Sequence, residues 1–168
     1  TQITGNLPLV GRIGLVYFAS PKGKVLSEMT MTRFAENDYL LMTGAGAYWH
    51  DRDLLNASLP ENKSISIADV TRDIATLLVT GPKSPAILAA VTSQTTSTED
   101  FPWLSHQKMR IAGSDVTAIR VSYAGEAGFE LHCKMSDVVS VYDSVLAAGE
   151  AHQLRPFGML ALDSMRLE

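Results

Sequence analysis

Hydrophobic and polar positions alternate in short segments along the N-terminal part of this chain. Residues 12–19, 24–33 and 38–44 are rich in apolar and β-branched side chains, and the turn sequences SPKGK and AEND separate them. Short runs of this kind between turn residues are typical of β-strands. The pattern predicts three strands, followed by a helix over GAYWHDRDLLNASL.

The second part of the chain continues this mixture of strands and helices. Strands are predicted over 64–70 and 73–81, then in MRIAGSDVTAIRVSY and GFELHC. A helix is predicted in GPKSPAILAAV, with Ser84 as its N-cap. Another is predicted after Ser136, with Ser136 as its N-cap, because apolar residues then recur every three or four positions. Pro156 precedes a last helical pattern, GMLALDSMRL.

Two stretches, 24–57 and 115–149, each combine a pair of predicted strands with a following helix. This combination predicts an α+β fold of antiparallel sheets packed with helices, in a ferredoxin-like βαββαβ layout. We expect residues 1–168 to be one region, with a possible sub-boundary in the polar stretch 92–102. The chain starts without Met and ends inside a helix-like pattern, so we interpret it as a piece of a longer protein.

Composition narrows the function classes. The chain has 168 residues, 46% of them hydrophobic and 19% charged, as in a soluble globular protein. No apolar run approaches the about 20 residues of a membrane-spanning helix. The net charge is −4 without a basic block, which argues against nucleic acid as a partner. The single cysteine, Cys133, lies on the apolar side of its strand and is predicted to be buried, which fits a reducing compartment.

No metal site is predicted, because the four histidines lack the spacing of a ligand set. They are expected on the surface, and His132 falls on the polar side of its strand. The sequence GAGA (44–47) leads from a strand to a helix, where it could hold an anion or form a plain tight turn. GPKS lacks the lysine and serine spacing of a phosphate-binding loop.

Two carboxylates remain as candidates for chemistry. Glu28 lies within a predicted strand, and Glu126 lies in SYAGEAGFELH (122–132), at the tip of a predicted tight hairpin. Each residue has two interpretations, a solvated surface charge or the polar group of a ligand pocket. Composition and spacing alone leave both open.

Five segments, in order along the chain, resemble the folate-binding aminomethyltransferases, the T-protein family of the glycine cleavage system. SYAGEAGFEL is similar to the YTGE-x-GFE motif of that family, and SPKGKVLSEMTM resembles its Gly-Gly-x-x-Asp-Asp segment. The other three segments are DYLLMTGAGAYWHDRDLL, VTGPKSPAILAAVT and RPFGMLALDSMRLE. PKGKVLSEMTM and VTAIRVSYAGEAGFELH resemble most the branch found in dimethylglycine and sarcosine dehydrogenases.

This resemblance implies tetrahydrofolate as the cofactor and assigns site residues. Glu126 matches the glutamate that hydrogen-bonds the pterin ring, where a carboxylate can accept two N–H groups side by side. Glu28 matches the catalytic aspartate of the family, and Met42 falls at a position that lines the pterin pocket.

Four pocket positions depart from the family pattern. Leu15 and Ile119 stand where the family has tyrosines, Gly44 where it has asparagine, and Leu162 where it has arginine. These differences argue against a glycine-cleavage T-protein proper. They are compatible with the dehydrogenase branch, or with a module whose folate binding has weakened.

Three functions follow as hypotheses. The first is the folate module of a flavin-dependent N-methylglycine dehydrogenase. There, FAD in an N-terminal half of the parent protein oxidises the N-methyl group, and folate captures the one-carbon unit as 5,10-methylenetetrahydrofolate. The second is a stand-alone aminomethyltransferase, and the third is a non-catalytic module. The expected partners are folate, a one-carbon unit and a flavin domain in cis. The expected location is the cytoplasm, or the mitochondrial matrix in a eukaryote.

Overall fold

The computed structural model describes residues 2–4 and 7–167. The chain divides into two compact units, Thr1–Asp69 and Val70–Glu168. Each unit contains one four-stranded antiparallel sheet together with helices, which confirms the predicted α+β class. Within the described ranges, no helix is long and apolar enough to cross a membrane.

The first unit is a meander of four strands followed by a helix. Its elements are β1 (Gln2–Thr4), β2 (Ile13–Ala19), β3 (Val25–Ala35), β4 (Asp38–Met42) and α1 (Tyr48–Ala57). A single 3-10 turn, Ala45–Ala47, connects β4 to α1. The helix packs through Leu54 and Leu55 onto one face of the sheet, whose buried residues are Val16, Phe18, Met29 and Met31.

The β2–β3 hairpin contains a bulge. Phe18 pairs with Ser27, but the next residue, Ala19, pairs with Val25. Leu26 is therefore the additional residue in β3, opposite no residue of β2.

The second unit has seven main elements. They are β5 (Ile74–Thr80), α2 (Ser84–Val91), β6 (His106–Ile111), β7 (Ser114–Ile119), β8 (Gly128–Lys134), α3 (Val138–Gly149) and α4 (Met159–Leu167). The strand order is β5-β8-β7-β6, so the first strand pairs with the last. As expected for a ferredoxin-like layout, helices pack on an antiparallel sheet. In the predicted βαββαβ order two strands lie between the two helices. Here three strands, β6, β7 and β8, lie between α2 and α3 in the chain.

The core of the second unit lies between its sheet and its helices. Phe129, Leu131 and Cys133 alternate along β8 and are all buried in one cluster with Val141 and Val145 of α3. The prediction that Cys133 is buried is confirmed. Its burial, and secondarily the negative charge of a nearby aspartate, raise the pKa of the Cys133 thiol.

The polar stretch 92–102 lies inside the second unit, and the boundary between the units falls at Asp69 and Val70. The stretch is packed rather than free: Phe101 is buried, with its ring centroid 5.6 Å from that of Phe129. The Arg120 guanidinium donates a hydrogen bond of 2.6 Å to the Phe101 carbonyl oxygen. These contacts explain why the polar composition does not mark a linker.

The strand predicted over 64–70 is wrong. This segment is irregular and pairs with no neighbouring strand, and Ile65 and Ile67 are exposed. Alternation alone is not sufficient, because a strand is stabilised by its partners in a sheet.

Both predicted N-caps are also wrong. Ser84 is the first residue of α2 and follows the cap, Lys83; its hydroxyl donates to the Ala127 carbonyl oxygen at 2.9 Å. Ser136 lies in a 3-10 turn before α3, and its hydroxyl donates to the Asp137 carboxylate at 2.7 Å. In each case another acceptor binds the serine hydroxyl.

Candidate functional site

The first sheet has a face opposite the one that packs against α1, and this face carries three of the predicted site residues. Leu15 pairs with Thr30, which in turn pairs with Met42. Tyr17 pairs with Glu28 in the same way. Directly paired residues, and residues two apart on one strand, share a face of a sheet. The five side chains therefore lie on one surface.

Sequence reasoning missed Tyr17. Its hydroxyl donates a hydrogen bond to the Glu28 carboxylate. This bond is the largest cause of a raised Tyr17 pKa, followed by burial and by the charge of Glu28. Tyr17 is partly buried and Glu28 is exposed. The pair gives the sheet face a polar site beside the apolar Leu15 and Met42.

Gly44 follows this sheet face in the chain. Its backbone is extended, with φ −65° and ψ 140°. A Cβ atom placed on it would meet no heavy atom within 4 Å. Neither the backbone nor the surroundings therefore require glycine at this position.

On the other face of the first sheet, Asp51 of α1 is a buried carboxylate that accepts hydrogen bonds from Thr43, His50 and Ser27. The bond from His50 Nδ1 measures 2.8 Å. Burial alone would raise the pKa of Asp51, but the three hydrogen bonds outweigh burial and the pKa is lowered. The carboxylate is therefore held ionised at neutral pH.

Two of the three hydrogen-bond donors to Asp51, Ser27 and Thr43, are sequence neighbours of predicted site residues. Ser27 precedes Glu28, and Thr43 lies between Met42 and Gly44. Asp51 thus connects β3 and the end of β4 to α1 on the side opposite the candidate ligand face. It fixes the backbone from which that face is built.

In the second unit, Glu126 lies in an eight-residue connection, 120–127, between β7 and β8. The predicted tight hairpin is therefore wrong, although β7 and β8 are neighbours in the sheet. Two motif glycines shape the connection. Gly125 has φ +78°, and a Cβ on Gly128 would lie 2.7 Å from the Val121 carbonyl oxygen.

The Glu126 side chain is exposed, and no hydrogen bond or ion pair to its carboxylate is found among the residues described. The same connection contacts α4 through Tyr123. The Tyr123 hydroxyl donates to Asp163 at 3.3 Å, and the Arg166 guanidinium lies 5.0 Å from the Tyr123 ring centroid. The loop that carries Glu126 is thus attached to the last helix.

Ile119 and Leu162 are both buried, with exposures of 0% and 6%. Ile119 ends β7, directly opposite Glu130 on β8, and Leu162 lies in α4. The structure thus brings Leu15, Glu28 and Met42 onto one face of the first unit, and it places Glu126, Ile119 and Leu162 in the second unit.

His132 is not the surface residue that its polar position predicts. It is 6% exposed and lies on the face of the second sheet opposite Leu131 and Cys133. Its Nδ1 is 3.0 Å from the Thr76 hydroxyl, and its Nε2 is 3.2 Å from the Glu130 carboxylate. Thr76 on the neighbouring β5 and Glu130 on β8 itself therefore satisfy the ring in place of water. Among the described residues, no three His, Cys, Asp or Glu side chains are grouped to hold a metal ion.

The GCVT N-terminal domain family matches residues 3–168 of this chain. Similar curated proteins include human mitochondrial dimethylglycine dehydrogenase, 32% identical over 96% of this chain and 19% of the relative. Human mitochondrial sarcosine dehydrogenase is 36% identical over 88% of this chain and 18% of its own length. The aminomethyltransferase of Saccharopolyspora erythraea is 33% identical over 95% of this chain and 42% of that protein.

Solved structures share the fold. Aminomethyltransferase T of the glycine cleavage system from Bartonella henselae superimposes with a TM-score of 0.75 at 22% identity, over 96% of this chain and 41% of that chain. A chain of heterotetrameric sarcosine oxidase from Corynebacterium sp. U-96 gives a TM-score of 0.65 at 15% identity, over 90% of this chain and 70% of that chain.

The chain thus spans about a fifth of the two dehydrogenases and less than half of the aminomethyltransferase. The family match nevertheless extends over nearly all of its residues, and it agrees with the five motifs and with the fold. The chain belongs to the GCVT N-terminal domain family, the aminomethyltransferase-type domain that dimethylglycine dehydrogenase, sarcosine dehydrogenase and stand-alone aminomethyltransferases share.

Proposed function

We propose that this chain is the tetrahydrofolate-binding module of a flavin-dependent N-methylglycine dehydrogenase, of the dimethylglycine or sarcosine type. The observation that carries the proposal is the common sheet face of Leu15, Glu28 and Met42. The three residues come from three separate strands, and each was matched to a folate-site position from the sequence alone. The FAD would bind in another domain of the parent protein.

The proposed role of Glu126 is to bind the pterin edge of folate. A carboxylate accepts two parallel N–H groups from an aminopyrimidinone, which fixes the orientation of the ring and adds affinity. The Glu126 carboxylate is exposed and has no partner among the described residues, which supports this role because none of those contacts has to be broken first. Gly125 and Gly128 support it by shaping the backbone of the loop.

Glu28 is proposed to assist the transfer of the one-carbon unit. When bound, tetrahydrofolate would supply two nitrogens that bond in turn to the methylene carbon of the oxidised substrate. The amine would leave with the electron pair of the broken carbon–nitrogen bond and take up the protons that the two folate nitrogens release, one of them relayed by the Glu28 carboxylate. A carboxylate also stabilises the cationic iminium electrostatically. The Tyr17 hydroxyl would orient the Glu28 carboxylate.

One set of observations favours a different function, a non-catalytic module. At four pocket positions the resemblance predicts polar residues. This chain has Leu15, Gly44, Ile119 and Leu162 there, and none of these side chains can form a hydrogen bond. The similarity to the Saccharopolyspora erythraea aminomethyltransferase keeps a stand-alone aminomethyltransferase as a further alternative. It would transfer an aminomethyl group from a lipoyl carrier protein to folate.

Anaerobic calorimetric titration with reduced folate tests the proposal, on both this chain and the full-length parent. We expect the full-length parent to bind folate. Glu126→Gln keeps the shape of the side chain but replaces one acceptor with a donor. We expect it to weaken binding by more than about 1.4 kcal/mol, a tenfold change.

The matched control is Glu150→Gln, an exposed carboxylate of the same unit, which should leave affinity unchanged. Equal binding by wild type and Glu126→Gln would show that another residue holds the pterin. A full-length parent that binds no folate would overturn the folate proposal itself and favour the non-catalytic module.

A further inference from the structure

The second unit contains a cavity of about 410 Å³ that involves none of the residues proposed for folate. It lies between the start of α2, the turn after α3, and α4. Ile87, Leu154 and Met165 contribute apolar surface to its wall. Its volume falls in the range of small-molecule sites, roughly 300–1,000 Å³.

Three basic side chains, Lys83, His152 and Arg155, line the same cavity, and no carboxylate is among its lining residues. In the described part of the chain, no hydrogen bond or ion pair engages any of these three side chains. The chain as a whole is acidic, with 18 Asp and Glu against 14 Lys and Arg. Lys83 and Arg155 are cationic and the His152 ring can donate a hydrogen bond, so an anion bound in the cavity is stabilised.

The backbone on both sides of the cavity is held in place. Leu154 N–H donates to the Gly149 carbonyl oxygen at 3.0 Å, which closes the turn after α3. The Ser84 hydroxyl, at the start of α2, is bonded to Ala127 of the neighbouring connection. The backbone around the cavity therefore loses little conformational freedom when a ligand binds.

We propose that this cavity binds an organic carboxylate with an apolar body. The carboxylate would lie among Lys83, His152 and Arg155, and the apolar body would contact Ile87, Leu154 and Met165. The combination of apolar wall and basic groups favours such a ligand over a bare inorganic anion, which would leave the apolar wall uncovered, and over a neutral aromatic compound, which would leave the basic groups unpaired.

Two isosteric probes separate charge from shape: 1-naphthoate and the neutral 1-naphthamide. Both are titrated into this chain at low salt, and binding is measured by calorimetry. We expect 1-naphthoate to bind at least tenfold more tightly than 1-naphthamide. This difference should shrink as salt is added, because the basic groups are partly exposed and become screened.

Methionine methyl NMR locates the probe. Met165 lines the cavity, whereas Met159 lies on the same helix and is 69% exposed outside it. We expect 1-naphthoate to shift the Met165 methyl resonance and not that of Met159. Shifts at Met159 alone would show adventitious binding to the exposed surface of α4 and would overturn the proposal.

The double variant Lys83→Gln and Arg155→Gln should weaken 1-naphthoate binding at least tenfold and leave 1-naphthamide binding unchanged. Lys134→Gln, an exposed lysine of the same unit, serves as the control and should change neither. Equal affinities for the two probes, or an unaffected double variant, would contradict the proposal. Because neither probe is a folate, these results do not depend on whether the chain binds tetrahydrofolate.

Discussion

Tyr17 and Glu28 stand directly opposite each other on β2 and β3, and the Tyr17 hydroxyl donates a hydrogen bond to the Glu28 carboxylate. This pair is the polar centre of the sheet face that also carries Leu15 and Met42. A glutamate in a strand is often a plain surface charge. Here a neighbouring strand supplies a donor that orients it.

The first prediction concerns the titration of Tyr17. Its pKa is raised above the ordinary value of 10.0, chiefly by the hydrogen bond to Glu28. The folded chain therefore holds this proton more tightly than the unfolded chain. The stabilising contribution is complete below the unfolded pKa and is lost as pH rises through the folded pKa. In Glu28→Gln, we expect Tyr17 to ionise at lower pH than in wild type.

Ultraviolet absorbance of tyrosinate measures this shift, and Tyr17→Phe identifies which ionisation belongs to Tyr17. Glu36→Gln serves as the control, because it removes an exposed carboxylate of the same unit from another position. An unchanged Tyr17 titration in Glu28→Gln would show that the two side chains do not interact in solution.

A second prediction concerns Asp51. Thr43→Val removes one hydrogen bond to this buried carboxylate, and bonds to charged groups contribute about 1.5–3 kcal/mol. We expect a destabilisation of that size in chemical denaturation. Ser64→Ala, which removes an exposed hydroxyl in the same unit, should have almost no effect.

The acid dependence of stability gives an independent measurement. The pKa of Asp51 is lowered below its ordinary value of 3.8. Its stabilising contribution is therefore present above the unfolded pKa and is lost as pH falls through the lower folded pKa. In Asp51→Asn this part of the acid dependence should disappear. If Asp51→Asn loses as much stability with acid as wild type does, the acid dependence comes from other carboxylates.

A third prediction concerns the glycines of the Glu126 connection. Gly128→Ala would place a Cβ 2.7 Å from the Val121 carbonyl oxygen, and Gly125→Ala would place a side chain at φ +78°. A non-glycine residue in the left-handed region costs about 1–2 kcal/mol. We expect both variants to lower the thermal midpoint, and Gly44→Ala, which meets nothing within 4 Å, to leave it within error.

A fourth prediction rests on the proposed function. Leu15 is 53% exposed and Gly44 has open space around it, so larger side chains fit at both positions. Leu15→Tyr and Gly44→Asn restore the residue types that the aminomethyltransferase resemblance assigns there. Each new hydrogen bond would contribute about 0.5–1.5 kcal/mol. We expect each variant to bind reduced folate about two- to tenfold more tightly in calorimetry of the full-length parent.

The control for this prediction is Leu15→Phe, which adds the ring of tyrosine without its hydroxyl. If Leu15→Phe and Leu15→Tyr change affinity equally, the gain comes from apolar contact and not from a hydrogen bond. Unchanged affinity in both Leu15→Tyr and Gly44→Asn would show that the two positions do not face the ligand.

Local patterns predicted the local elements well. The strands β2 to β4 and the helix α1 follow from alternation and turn residues, which depend on neighbours in sequence. The segment 64–70 shows the same alternation around Ile65 and Ile67, yet it forms no strand, because pairing depends on residues far away in sequence. His132 is a similar case: its polar position is evident from the sequence, but its partner Thr76 on β5 is not.

The site was predictable only residue by residue. Glu28, Met42 and Leu15 were each assigned through motifs, and their common face required the register of two hairpins. Tyr17 matched no motif, and only its pairing with Glu28 identifies it. Ala19 pairs with Val25 next to the SPKGK turn. A regular register counted from that pair, without the bulge, would have paired Tyr17 with Ser27 instead of Glu28.

Leu26, the additional residue of the bulge, shifts the alternation of side chains by one residue between the SPKGK turn and the candidate ligand face. In a regular ladder continued from Val25, Ser27 would share the face of Ala19, and Glu28 would point toward α1. The bulge restores Glu28 to the side of Tyr17. A related chain that lacks this one residue could keep every strand pair from Ser27 to Thr32 and form the hairpin without a bulge. In an alignment of relatives, a one-residue gap should therefore be placed at Leu26. With the gap there, the positions of Tyr17 and Glu28 both stay correctly aligned.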